Sequence, residues 1–358
     1  MTRMTGRLML VAAVSSLIMA GTAMPTNRPS PQLGEPLPDL TPSELVRFAQ
    51  GKAVFSREFT AETGLGPFFN NASCALCHED PVVGGAGAFG EDDVDTERHA
   101  TAGEQPTCDE LEATGGPVFR QQTTGPALPA IPALAEVRVG IRSTPALFGF
   151  GLIEAIPDSD ILANQGRAGG RAAKLSNGTL GRFGRKATDS DLLTFIRGAF
   201  DKEQGVVVPS ELSPADLART VDFVRFLAPP PPVLGVDRYG EEMFQAAGCA
   251  TCHVPTFKTR SSIEALDRKI VYIYSDLLLH DMGAALADLC KGVATRAEFR
   301  TEPLIGLRNR TRFLHDGRAL SIESAIVQHG GQGAAAATAF LNLSQTDRLA
   351  LLQYLRRL

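Results

Sequence analysis

Two segments carry the residue types for metal chemistry at an informative spacing. They are Cys74-Ala75-Leu76-Cys77-His78 and Cys249-Ala250-Thr251-Cys252-His253, and both read Cys-x-x-Cys-His. Two thiols so spaced can add across the two vinyl groups of one haem while the adjacent imidazole coordinates the iron. A dithiol redox pair would want a βαβ context, and a structural zinc site would want further paired ligands; the chain offers neither. The spacing therefore predicts two covalently bound c-type haems, with His78 and His253 as proximal iron ligands. Cys108 and Cys290 fall outside both motifs. In an oxidising compartment they either pair between the halves or remain two thiols.

The elements that must hold these motifs occur twice. Upstream of each lies a helix-like start, Gly51-Lys52-Ala53-Val54-Phe55 and Gly240-Glu241-Glu242-Met243-Phe244. Downstream, Arg142-Ser143-Thr144-Pro145 is echoed by Arg300-Thr301-Glu302-Pro303. Each half closes on an amphipathic helix, one over 213–227 and one over 344–358, with Ser213 and Ser344 as N-caps and Pro214 at the first helical position of the former. Insertions enlarge the first half, one between Cys77 and Arg142 and one including 151–181. Strand-like runs are few, 270–274 being the clearest. The expected architecture is mainly α, with two tandem cytochrome c-like domains over 24–228 and 237–358 joined by a proline-rich linker over 229–236.

Met1 to Arg7 carries two Arg and no acid, residues 8–20 are almost wholly apolar, and small residues follow at 21–23. This reads as a secretory signal peptide over 1–23 and predicts a periplasmic protein. The apolar run is short for a membrane span, and no later run is longer. With 40 acidic and 35 basic side chains the 358-residue chain has a net charge of -5, which gives no support to nucleic-acid binding.

Further motifs give the chain a family resemblance. They are Gly64-Leu65-Gly66-Pro67-Phe68-Phe69-Asn70, Leu152-Ile153-Glu154-Ala155-Ile156-Pro157-Asp158, Gly181-Arg182-Phe183-Gly184, the Tyr274 to Gly283 run and Phe313-Leu314-His315-Asp316-Gly317-Arg318-Ala319. With the haem motifs they resemble the bacterial di-haem cytochrome c peroxidases, most closely the branch of di-haem oxidoreductases or thiol oxidoreductases. That resemblance implies a C-terminal haem that stores electrons and an N-terminal haem that meets hydrogen peroxide or another small oxidant. It implies a small electron-donor protein, of cytochrome c or cupredoxin type. The distal ligand of the C-terminal haem, at the family's spacing after the His-Asp-Gly motif, falls on His329.

O–O heterolysis needs an acid-base group over the N-terminal iron. The resemblance places Glu203 there, and Glu154, in the apolar Leu152-Ile153 context, is a second candidate. His280 is expected to be a hydrogen-bonded histidine near a haem, His315 to order a loop or a propionate, and His99, among acids, to be solvated. Arg142, Arg300 and Arg318 are candidate propionate partners. Relatives place a Trp after the Gly-Arg-Phe-Gly motif; here Arg185 stands in that position and the chain has no Trp. A calcium ion between the domains, as in some relatives, has no ligand set here that compels it. Two further readings remain open: a non-catalytic electron-transfer cytochrome, and a haem oxidase that modifies a partner protein.

Overall fold

Thr41 opens the first helix, α1 (Pro42–Phe55), through a capping box in which its hydroxyl accepts from the Glu44 amide and the Glu44 carboxylate accepts from the Thr41 amide. Residues 31–88, 96–233, 235 and 237–358 are described by a computed structural model. The expected signal peptide lies outside them, as do residues 234 and 236 of the expected linker. The remaining helices are α2 (Phe150–Glu154), α3 (Asp158–Leu162), α4 (Leu192–Ala199), α5 (Pro214–Phe226), α6 (Arg238–Ala246), α7 (Ile322–Val327), α8 (Ala334–Asn342) and α9 (Gln345–Leu355). Ser213 and Ser344 cap α5 and α9 through their hydroxyls, as the sequence predicts.

One helix crossing occurs twice. α1 lies across α5, and α6 lies across α9. Each crossing needs a glycine: a Cβ on Gly51 would collide with the Arg219 carbonyl, and one on Gly240 with the Ala350 carbonyl and the Tyr354 side chain. Four residues after each glycine an aromatic ring is buried against the partner helix, Phe55 on Phe223 at 4.9 Å and Phe244 on Tyr354 at 5.6 Å between centroids. The repeated sequence starts are thus repeated packing devices.

Strand content exceeds the sequence expectation. Among the described residues, five two-stranded antiparallel sheets pair β1 (Phe68–Phe69) with β3 (Gln122–Thr123), β2 (Thr96–Ala102) with β4 (Val137–Ser143), β5 (Ala173–Lys174) with β6 (Leu180–Gly181), β7 (Phe257–Lys258) with β8 (Ile270–Val271), and β9 (Leu279–Asp281) with β10 (Glu298–Arg300). The 270–274 run supplies only β8, whereas the longest pair, β2 and β4, was not anticipated. Its register sets Glu97 opposite Arg142 and His99 opposite Gly140. Gly140 lies against Asp288 and Leu289, and a disulfide joins Cys108 to Cys290, so this hairpin is fastened to the second half.

The proline stretch is packed rather than free. Pro230 is buried, Pro229 and Pro230 lie against Gly149 and Gly306, and the Pro231 carbonyl accepts from Arg308 Nη1 at 3.0 Å. Among the described residues, no helix is long and apolar enough to cross a membrane.

Candidate haem sites

Both Cys-x-x-Cys-His motifs fold into the same short turn. A 3-10 helix covers Cys74–Leu76 and Cys249–Thr251, and the His78 and His253 amides donate to the Cys74 and Cys249 carbonyls, each at 2.9 Å. Burial pushes the Cys74 thiol up to about 12 and the Cys249 thiol up to about 11. Reactive redox dithiols are shifted the other way.

The second turn opens on a cavity of about 520 Å³ lined by Cys249, Cys252, His253, Phe244, Leu307 and His329 among others. His253 Nδ1 donates to the Tyr274 carbonyl and His329 Nδ1 to the Ala325 carbonyl, each at 2.8 Å. A carbonyl only accepts, so in each neutral ring Nε2 carries the lone pair. Burial lowers His253 to about 4 and lowers His329 too, which keeps both rings neutral. Their centroids lie 6.4 Å apart. Two imidazoles each bonded at about 2 Å to one metal have centroids about 6 Å apart.

A cationic wall closes the same cavity. Glu302 lies among Arg185, Arg300 and Arg310, at 2.8, 3.1 and 3.3 Å, and these three guanidiniums hold its carboxylate down to about 2 against the opposing effect of burial. Three cations to one anion leave an excess of positive charge. The Nε atoms of Arg185 and Arg310 are buried with no hydrogen-bond partner. Two neutral imidazoles and two thiols in the lining of an apolar chamber, with unsatisfied guanidinium donors in its wall, fit a haem with its two carboxylates.

At the first turn, His78 Nδ1 bonds the Pro145 carbonyl at 2.9 Å and lies 3.2 Å from that of Gly85. Burial lowers this ring to about 4. Pro145 also lines the cavity of the second turn, so the two sites share a wall at this residue. Gln204 Oε1 stands 3.8 Å from Cys74 Sγ. Its neighbour Glu203, on the π-helical turn that continues α4, accepts from Asn70 Nδ2 at 2.5 Å. Burial first and the nearby Glu97 second push the Glu203 carboxyl up to about 8.

The structure separates the two acid candidates. Glu154 accepts from Arg225 Nε at 2.8 Å and from the Leu192 amide, at the start of α4, at 2.9 Å. It fastens α2 to α4 and α5, and the cluster with Glu203 contains Glu97 and His99 instead. The expectations for His99, Arg142 and Arg318 are corrected. His99 is 6% exposed, because strand pairing turns it inward. Arg142 pairs with buried Asp288, and Arg318 with Asp316 at the surface; of the three expected propionate partners, only Arg300 lines the cavity. His280 is buried beside Cys252, bonded to Asp276 at 2.9 Å and to Gln332 at 3.0 Å. Sequence reasoning missed Glu97, whose two-residue spacing from His99 on one strand was the available signal.

Residues 235–358 match the model of the family described as "Di-haem oxidoreductase, putative peroxidase". The matched residues include the second Cys-x-x-Cys-His motif and the Phe313 to Ala319 motif. Kuenenia stuttgartiensis hydrazine synthase is similar at 15% identity, with a TM-score of 0.44 over 98% of this chain and 100% of that one. A "MauG-like protein associated with microbial copper homeostasis" is similar at 14% identity, with a TM-score of 0.42 over 93% and 94%. No curated protein matches the chain.

Proposed function

We propose, from the premise that residues 235–358 match a di-haem oxidoreductase family, that this protein is an exported di-haem c-type enzyme that reduces hydrogen peroxide. It comprises two tandem cytochrome c-like domains, the first enlarged by insertions, and the twice-used helix crossing supports that reading. Residues 1–23 are its export signal, and the Cys108–Cys290 disulfide suits the periplasm.

When bound, haem supplies iron that exchanges electrons and can meet peroxide. Every other part is played by the chain. Cys74 and Cys77, and Cys249 and Cys252, anchor the two groups, and His78 and His253 are held by backbone carbonyls with Nε2 outward. His329 would hold the iron together with His253 at the C-terminal site, which would take electrons from a small donor protein. Arg185, Arg300 and Arg310 would neutralise its propionates. Glu203 holds the proton at its carboxyl near neutral pH and is the acid-base group for peroxide. The reaction takes two electrons and two protons per peroxide and releases two waters.

One observation carries this reading: the two sites are unequal. Two imidazoles lie close together at one, while a half-buried carboxyl of raised pKa lies beside the other. Spectra of the resting holoprotein test the inequality. One low-spin haem and one high-spin haem that binds cyanide are expected; two low-spin haems inert to cyanide would leave only electron transfer.

A further inference from the structure

Glu97 and His99 reach the Glu203 region from β2, an element far away in sequence. Ligand-type atoms of Glu97, His99 and Glu203 all lie within 4.8 Å of one another. His99 Nε2 is 2.8 Å from Glu97 Oε2, while Asn70 holds the other carboxyl. Three such groups could in principle bind a cation. Here the counter-charge is already built in, because Lys291 acts on all three and Arg142 on Glu97 and His99. Two carboxyls this close and only partly exposed cannot both ionise without a cost.

We propose that Glu97 and Glu203 form one carboxylic pair sharing a single proton, with Glu97 a positioning residue that keeps the proton on Glu203. His99 fixes the Glu97 carboxyl. The pair rests on the reading of Glu203 as the peroxide-side acid and adds a partner to it. Burial raises Glu97 as well as Glu203, and the nearby Glu97 opposes ionisation of Glu203. The charged groups around the pair are Lys291, Arg142 and Arg185 toward Glu97, Asp288 and Lys202 toward His99, and Lys291 and Arg120 toward Glu203. Lys291 also faces Lys202, Glu110 and Arg142, and burial lowers it.

Infrared spectroscopy of the resting holoprotein, titrated over pH without peroxide, reads the shared proton from the carbonyl stretch of a protonated acid. Glu203→Gln identifies the band. In Glu97→Gln the midpoint of the Glu203 band should fall by about one pH unit, since a like charge has gone. In Lys291→Met it should rise, since a cation has gone. A merely structural role would not move the midpoint in opposite directions. An unchanged midpoint in both variants would overturn the pair, whatever the peroxide chemistry, and should Glu97→Gln fail to fold, an unshifted Lys291→Met would do the same. Peroxide reactivity left unchanged by Glu203→Gln would instead remove the acid role and leave the titration result standing.

Discussion

His253 and His329 face each other across the C-terminal cavity with ring centroids 6.4 Å apart and both Nδ1 atoms bonded to carbonyls. His253 is carried by the turn after α6 and His329 by the end of α7. Replacing His329 by Ala should abolish one low-spin haem signal in the visible spectrum, with the other haem unaffected. His329→Met should restore a low-spin spectrum at a higher reduction potential, because a thioether stabilises the reduced iron better than imidazole does. An unchanged spectrum in His329→Ala would remove this residue as a ligand.

Asp288 lies at the centre of a buried charge network that joins the halves. Arg142 bonds it, Lys186 Nζ lies at 3.3 Å and His315 Nε2 at 3.4 Å. Lys186, only 2% exposed, also donates to the carbonyls of Thr295, Arg296 and Glu298 and sits 3.7 Å from the centre of the Phe299 ring. Asp288→Asn would leave two buried cations short of their counter-charge, at a cost of about 3–5 kcal/mol. Thermal unfolding should show a lower Tm by several degrees; an unaltered Tm would show that the network contributes little.

Glu203 makes stability depend on pH with a definite sign. Its carboxyl ordinarily titrates at 4.5 and is held protonated to about 8 when folded. Between these values the unfolded chain has lost the proton that the native chain keeps, so stability falls as pH rises through the window. Below about 4.5 the contribution is fully present. Glu203→Gln should therefore lose less Tm than the parent between pH about 5 and about 8. An equal loss in both proteins would show that Glu203 is not held protonated.

What the sequence disclosed was local. The haem motifs, the serine caps of α5 and α9 and the repeated starts at Gly51 and Gly240 are each written in residues within one or two turns of each other. His329 emerged only through a family spacing, and the structure brings its ring to His253. The losses came from long-range pairing. His99 reads as solvated among acids until β4 covers it, and Arg142 reads as a propionate partner until the hairpin meets Asp288. Glu154 reads as a buried acid until Arg225, on a helix far along the chain, neutralises it.

The most direct test of the central claim is a rapid-mixing visible spectrum of the holoprotein, with its haems reduced, against hydrogen peroxide. Rapid oxidation of both haems is expected, slowed by about 10²–10⁴ in Glu203→Gln, the usual worth of a positioned acid-base group. Haems that remain reduced, or a Glu203→Gln protein as fast as the parent, would contradict it.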